Sequence, residues 1–180
     1  VEERAHIMTS ELGGAAYHSG LQTRPLPGYR GRLTPEQLRN VGWKDGEFWT
    51  PRASIVALEN THNTAGGTVW PLEELHAIVA TARELGMRAH LDGARLMNAA
   101  VASDVPAAEI GGVFDTVTLC LSKGLGCPLG ALLAGSEELM LKARRGKHLF
   151  GGAMRQAGIV AAAGVYELDH HAERLADDHA

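Results

Sequence analysis

The residue of this chain best suited to covalent chemistry with a carbonyl group is Lys123. It lies in the segment LCLSKGLGCPLG, residues 119–130, between an apolar run and a glycine-rich turn. A free lysine has a pKa of about 10.4 and is protonated at neutral pH, so an amine that attacks carbonyls must be buried or lie beside another cation. We expect apolar neighbours, among them Leu121 and Leu125, to supply that burial. Taken alone, the segment also fits a surface lysine in a loop after a strand.

A second segment, HLDGAR at residues 90–95, strengthens the chemical interpretation of Lys123. It follows a helix pattern and a short strand pattern, so Asp92 is predicted at the carboxyl end of a strand, where open α/β sheets bind their ligands. Such a lysine and carboxylate on neighbouring strands form the pair that holds pyridoxal 5'-phosphate. The lysine forms an imine, and the carboxylate keeps the pyridine nitrogen protonated. By itself, Asp92 fits equally well as the N-cap of a helix that starts at residues 93–95.

Four motifs, in order along the chain, carry a resemblance to a known family. They are ENTHN at 59–63, HLDGAR at 90–95, LSKGLG at 121–126 and GGAMRQAG at 151–158. Together they resemble the low-specificity L-threonine aldolases, which have the aspartate aminotransferase fold type of pyridoxal phosphate enzymes. The match runs in register across nearly the whole chain. Four ordered motifs are more specific than DGAR or SKG alone, which recur in related β-eliminating lyases.

The resemblance implies a role for each of eight residues. Lys123 forms the imine, and Asp92 pairs with the pyridine nitrogen. His6 matches a histidine that stacks over the cofactor ring, and His62 matches one near the substrate hydroxyl, where a neutral imidazole can remove a proton. The other matches are Arg95, directed at the phenolic oxygen and the substrate carboxylate; Ala94, a small residue under the ring; and Ser122 and Arg155, near the phosphate, with Arg155 reaching across a subunit interface.

Several of these residues also have purely structural interpretations that the sequence leaves open. His6 is a histidine in an amphipathic stretch. His62 fits a loop histidine that pairs with Glu59. Arg95 fits an arginine at a helix start that pairs with a surface acid.

The reaction implied by the resemblance is retro-aldol cleavage of L-threonine or L-allo-threonine to glycine and an aldehyde. His62 and His6 are the candidates for the base that takes the β-hydroxyl proton. Another lyase of the same fold type, which eliminates at the β-carbon, could share Asp92 and Lys123 but would release pyruvate and ammonia. The ENTHN and MRQ segments favour the aldolase.

Alternating strand and helix patterns provide the framework for these residues. Continuous apolar strands separated by helices predict an α/β fold with a mostly parallel sheet and helices on both faces. A loop and a short helix that begins at Pro35 are predicted over residues 20–45. The predicted strands are 54–58, 87–91, 116–120 and 131–134, and the predicted longer helices are 71–85, 96–102, 137–145 and 156–170.

The length of the chain predicts only part of such an enzyme. At 180 residues and 45% hydrophobic composition it can bury the core of one domain. Members of the family it resembles are longer at both ends. We therefore expect residues 1–180 to be a partial large domain of a fold type I enzyme, without the upstream phosphate loop or the downstream small domain. A second hypothesis is an incomplete domain without activity of its own.

Composition argues against several other classes of function. With 17 basic and 21 acidic residues and a net charge of −4, the chain has no broad basic field, and nucleic acid is not an expected partner. The basic run at residues 142–147 fits a solvated helix face or, by the resemblance, a region near a subunit contact. No apolar stretch approaches the roughly 20 residues that span a bilayer. Neither the nine histidines nor Cys120 and Cys127 show metal-ligand spacing.

These observations predict a cytoplasmic protein without a metal, and the resemblance implies an enzyme whose partner is a small-molecule amino acid substrate. No signal peptide pattern opens the chain, and two cysteines fit a reducing compartment. Because active sites of the family lie between subunits, the resemblance also implies a homo-oligomer, either a dimer or a tetramer.

Overall fold

The computed structural model describes residues 1–41 and 48–179, and in them four strands form one mixed sheet. Strands β1 (Ile55–Glu59), β2 (Arg88–Asp92) and β3 (Thr116–Cys120) are parallel neighbours, and β4 (Ala131–Gly135) pairs antiparallel with β3. The predicted mostly parallel α/β sheet is confirmed. Each predicted strand lies within one residue of the observed bounds, because short apolar runs encode these strands locally.

Helices fill the connections between the strands. The longest connection between parallel strands contains α4, whose apolar residues recur every three or four positions and are buried. Pro71 precedes this helix, and Gly86 follows it with a φ of +71°, as is typical of helix ends. In the described ranges the helices are α1 (His6–Thr9), α2 (Gly14–Ser19), α3 (Pro35–Val41), α4 (Leu72–Glu84), α5 (Leu96–Ser103), α6 (Ala107–Gly112), α7 (Glu137–Leu149), α8 (Gly158–His170) and a 3-10 helix (Glu173–His179).

The helix predictions were accurate where the pattern is long. Helix α4 agrees with the predicted 71–85 and α5 with 96–102, but α7 runs past the predicted end at 145 and continues through Gly146 to Leu149. Helix α8 starts two residues later than predicted. Helix α3 starts at Pro35 as expected, and residues 42–45 of that predicted segment lie outside the described residues.

Successive side chains of the parallel strands point to opposite faces of the sheet, so that one face is apolar and the other is polar. The apolar face belongs to the main core, which also contains buried side chains of α4, α5 and α6. Its strand residues are Val56, Leu58, Ala89, Leu91 and Val117. The residues between them face the other way and are partly exposed, among them His90, Asp92, Thr116 and Thr118.

A second, smaller cluster packs beside the turn that contains Lys123. It consists of Leu121, Leu125, Cys127 and Leu175 and is flanked by partly buried apolar side chains of α5 and α8. The turn that follows β3 is therefore anchored through its apolar residues to the helices behind it.

Candidate functional site

Most of the predicted site residues lie together at the carboxyl ends of the three parallel strands. Glu59 at the end of β1 is in register with Asp92 at the end of β2, and Asp92 is in register with Thr118 of β3. Lys123 comes three residues after β3 ends at Cys120. The N–H of Asn60 donates to the carbonyl of Asp92 at 3.0 Å, which fixes the start of the ENTHN segment beside Asp92.

Asp92 makes a local turn and leaves one carboxylate oxygen available. Its Oδ1 accepts the N–H of Ala94 at 3.1 Å, whereas α5 begins at Leu96 after Arg95 without a side-chain cap. The alternative of a helix N-cap is therefore wrong. No donor to Oδ2 is found in residues 1–41 and 48–179. An acceptor with one free oxygen suits a pyridinium N–H.

Gly93 explains how β2 and β3 can meet so closely just after Asp92. A Cβ at residue 93 would lie 2.7 Å from the carbonyl oxygen of Thr118 and 3.1 Å from Cβ of Leu96. Since backbone cannot move away as a flexible side chain can, the DGAR segment needs glycine here. This close approach holds the Asp92 turn against the end of β3.

His90 is a neighbour of Asp92 that sequence reasoning did not assign to the site. It precedes Asp92 by two residues on the same strand, so both side chains lie on the polar face of the sheet. Its Nδ1 lies 2.8 Å from Oγ1 of Thr116. Burial lowers the pKa of His90, and the charge of Asp92 opposes this shift. The period-two spacing to Asp92 was the signal that could have identified it.

The expectation that Lys123 is buried by its own apolar neighbours is wrong for the residues that the structure describes. Leu121 and Leu125 are buried, but they pack against Leu175 in the second cluster, and the lysine itself is exposed. Its carbonyl accepts the N–H of Gly126 at 2.9 Å, which closes the turn. The amine has no ion-pair or hydrogen-bond partner among the described residues.

His62 is completely buried, and its partner is Glu2 and not Glu59. Its Nε2 lies 2.9 Å from Oε2 of Glu2, and its side-chain exposure is 0%. Nδ1 has no hydrogen-bond partner in the described part of the chain. The predicted pairing of His62 with Glu59 is therefore wrong.

Glu59 instead fixes the backbone on both sides of the site. One of its carboxylate oxygens accepts the N–H of His6 at 2.7 Å, and the other accepts the N–H of Asn63 at 2.8 Å. The His6 side chain stays partly exposed, with Nδ1 2.9 Å from Oε1 of Glu11. His6 and the ENTHN segment thus meet at the end of β1 through the buried carboxylate of Glu59, for which sequence reasoning had considered only His62 as a partner.

The remaining predicted residues divide between two places. Ala94 and Arg95 follow Asp92 and are half-buried, and Ser122 is exposed beside Lys123. No acidic partner of Arg95 is found in the described ranges, so its predicted surface ion pair is not observed. Arg155 is exposed between α7 and α8 and lines a cavity that none of the residues at the strand ends lines.

The cavity beside Arg155 is basic and has a volume of about 420 Å³. Residues of the predicted basic run contribute to it, and none of the residues at the strand ends does. Its lining residues are Arg144, Lys147, His148, Ala153, Met154 and Arg155. Lys142 instead pairs with Glu138 on the exposed surface, where its hydrogen bond lowers the pKa of that carboxyl group.

Within the described residues, no group of three or more histidine, cysteine, aspartate or glutamate side chains is arranged to hold a metal ion. No helix in the described part of the chain is long and apolar enough to cross a membrane.

Comparison with known proteins identifies relatives of the whole chain. Residues 1–180 match the family profile described as beta-eliminating lyase. The chain is 39% identical over 179 residues to a low-specificity L-threonine aldolase of Escherichia coli (strain K12), a match that covers 99% of this chain and 53% of that protein. The chain therefore spans about half the length of the curated relatives it matches.

Solved structures extend this likeness to three dimensions. A protein provisionally named L-allo-threonine aldolase, from Listeria monocytogenes EGD-E, superposes with a TM-score of 0.83 at 25% identity, over 98% of this chain and 47% of that one. A pyridoxal phosphate-bound C-S lyase from Staphylococcus hominis shares the fold, with a TM-score of 0.60 at 19% identity over 92% and 42% of the respective chains.

Proposed function

This chain belongs to the beta-eliminating lyase family, and from that premise we propose that the protein containing it cleaves L-threonine or L-allo-threonine to glycine and acetaldehyde with pyridoxal 5'-phosphate. One observation carries the proposal. At the carboxyl ends of the parallel strands, Lys123 has an amine and Asp92 has a carboxylate oxygen for which the described residues provide no partner. The 39% identity to a threonine aldolase supports this choice of reaction.

The residues at the carboxyl ends of the strands fit the cofactor. Lys123 would hold its aldehyde carbon, and Oδ2 of Asp92 would accept the pyridinium N–H. Ala94, next to the Asp92 turn, is small enough to let a flat ring approach, and the exposed hydroxyl of Ser122 is available to a phosphate oxygen. When bound, pyridoxal phosphate supplies an electron sink for the bond that breaks at the substrate α-carbon.

The protein residues then bind the substrate and move its protons. The guanidinium of Arg95 suits the substrate carboxylate, since its planar fork pairs with two oxygens and keeps its charge. Nδ1 of His62, which has no hydrogen-bond partner in the described ranges, would take the β-hydroxyl proton. His6, held at the end of β1 by Glu59, would stack over the cofactor ring.

The proposed cleavage balances in atoms and charge. The β-hydroxyl proton passes to the base, the bond between the α- and β-carbons breaks, and the β-carbon leaves as the aldehyde. The electron pair remains with the α-carbon, which takes up a proton to give glycine. No outside oxidant or reductant is needed.

A β-elimination is the second candidate, because the matching family profile is that of the beta-eliminating lyases and the reaction would use the same Asp92 and Lys123. From threonine it would release ammonia and 2-oxobutyrate. We would incubate the full-length protein with threonine and the cofactor and measure both product pairs. Glycine and acetaldehyde in equal amounts would support the aldolase, whereas 2-oxobutyrate and ammonia would contradict it.

We also propose that the protein forms a homo-oligomer. Large apolar side chains of α7 and α8 are exposed, which is typical of surfaces that associate. They include Leu141, Leu149, Ile159, Val165 and Tyr166. Sedimentation of the full-length protein as a monomer at micromolar concentration would contradict this proposal. The cytoplasmic location stays a prediction from the sequence.

A further inference from the structure

The pair formed by Glu2 and His62 is the most deeply buried pair of titratable side chains among the described residues. Glu2 is 3% exposed and His62 is 0% exposed, and Nε2 lies 2.9 Å from Oε2. Burying a carboxylate and an imidazole is unfavourable unless their polar atoms are paired. The contact between Nε2 and Oε2 joins residues 60 positions apart in sequence and gives each buried side chain a polar partner.

The contacts of Glu2 indicate where the shared proton lies. The backbone N–H of Arg4 donates to Oε2 of Glu2 at 2.6 Å, the same oxygen that contacts His62. A backbone N–H can only donate, so this oxygen accepts at least one hydrogen bond. An ionised carboxylate accepts both bonds without conflict. His62 then carries its proton on Nε2 and donates it to Glu2.

The second ring nitrogen of His62, Nδ1, also bears on where the ring proton lies. Nδ1 is buried and has no partner in the described part of the chain. A proton on Nδ1 would be a buried donor without an acceptor among the described residues, which is unfavourable. With the proton on Nε2, Nδ1 instead presents a lone pair, and the hydrogen bond at one ring nitrogen sets the state of the other.

Two glycines close the loop at residues 28–31 over this pair. A Cβ at Gly28 would lie 2.4 Å from Cγ of Glu2, and a Cβ at Gly31 would lie 2.3 Å from Cγ of His62. Gly31 also has a φ of +77°, which other residues rarely adopt. The backbone thus lies directly against both side chains and limits their movement and their contact with water.

We propose that Glu2 is a positioning residue that holds His62 in the Nε2–H tautomer and so keeps the lone pair on Nδ1 as the proton acceptor. The nature of the donor rests on the proposed function, in which it is the β-hydroxyl of the substrate. That hydroxyl would give its proton to Nδ1, and the Glu2 carboxylate would stabilise the doubly protonated ring until the proton is returned. The tautomer itself does not depend on that function.

The test uses nitrogen NMR of the full-length protein labelled with ¹⁵N in histidine, with cofactor bound and at neutral pH. The His62→Gln variant identifies the two His62 signals by difference. If that variant does not fold, the His62 signals are identified instead by combining the ¹⁵N label in histidine with a ¹³C label in threonine, because Thr61 directly precedes His62. We expect a protonated, pyrrole-type Nε2 and an unprotonated, pyridine-type Nδ1. A protonated Nδ1 in the wild-type protein overturns the inference.

Glu2→Gln and Glu3→Gln form a matched pair of variants, because Glu3 is the adjacent residue and is exposed. An amide can donate to Nε2 as well as accept from it, so Glu2→Gln should remove the preference for one tautomer, and Glu3→Gln should preserve it. In assays of threonine cleavage, Glu2→Gln should lower kcat about ten- to a hundredfold with little change in KM. Equal loss in both variants, or unchanged tautomer and kcat in Glu2→Gln, overturns the positioning role.

The two readouts separate this inference from the proposed function. If the tautomer is as expected but the wild-type protein releases no glycine, the proposed aldolase reaction fails and the assignment of Glu2 to His62 stands. If glycine is released and Nδ1 is protonated, the aldolase stands and Glu2 has only a structural role.

Discussion

The two outer strands of the sheet, β1 and β4, differ in how much of their surface is covered by other parts of this chain. In β1, Val56, Leu58 and Glu59 are buried, and the segment that follows contains the fully buried His62. In β4 all five residues are exposed, including Leu132 at 46% and Leu133 at 42%. Other described residues therefore cover the β1 edge of the sheet, whereas they leave the β4 edge exposed.

This difference separates the two halves of the candidate site. The side chain of His62 contacts Glu2 and the loop at residues 28–31, and its backbone pairs with Thr68, so its surroundings come from this chain. Lys123 lies nearer the open edge, and its apolar neighbours pack away from it. We therefore expect that the proton acceptor is shaped by this chain alone and that the reactivity of the lysine depends on further protein atoms, either from a longer chain or from another subunit.

The largest expected effect comes from Lys123→Ala. Loss of the only amine at the strand ends in the described residues should remove covalent attachment of the cofactor and lower the rate of threonine cleavage by roughly a thousandfold or more. Borohydride reduction followed by peptide mass spectrometry measures the attachment. The matched control is Lys142→Ala on the exposed surface, which should retain the adduct at Lys123. An adduct that survives in Lys123→Ala at full yield would refute the assignment.

Asp92→Asn should have the second-largest effect. The amide keeps the size of the side chain but removes the charge that keeps the pyridine nitrogen protonated, so kcat should fall by roughly a hundredfold or more while some cofactor stays bound. Steady-state kinetics and cofactor absorbance measure these two quantities. Asp104→Asn, at the exposed end of α5, is the control with the same chemical change and should behave like the wild type. Wild-type turnover in Asp92→Asn would exclude this role.

Gly31→Ala tests how tightly the covered edge is packed. The new Cβ would approach the His62 ring to 2.3 Å in a backbone conformation that disfavours alanine. We expect a loss of about 2–4 kcal/mol in the free energy of unfolding, measured with urea. Gly66→Ala has a similar φ of +84° and no described atom within 4 Å, so it should cost only about 1 kcal/mol. Equal losses in the two variants would mean that the His62 ring is not confined.

The sequence could predict features that depend on neighbouring residues, but not contacts between residues far apart in the chain. The strands and the positions of Asp92 and Lys123 were predictable, because apolar runs and strand ends are local features. The short helices α1, α2 and α6 were missed, since four to six residues are too few for a helical period. The contacts of His62 with Glu2 and of His6 with Glu59 join residues 60 and 53 positions apart. They depend on the fold, so sequence reasoning assigned His62 the wrong carboxylate.

The smallest effect concerns pH and tests the polar face between the two edges. Burial lowers the pKa of His90 below its ordinary value of 6.5, with the charge of Asp92 acting against this shift. The unfolded chain therefore binds a proton at His90 more readily than the folded chain does. The stability contributed by neutral His90 is fully present above pH 6.5 and declines as the pH falls below that value toward the folded-state pKa. Unfolding by urea at several pH values should show a smaller decline in His90→Asn than in the wild type, and the exposed His148→Asn should match the wild type. An identical decline in His90→Asn would mean that water reaches this histidine and that the polar face is more open than the structure indicates.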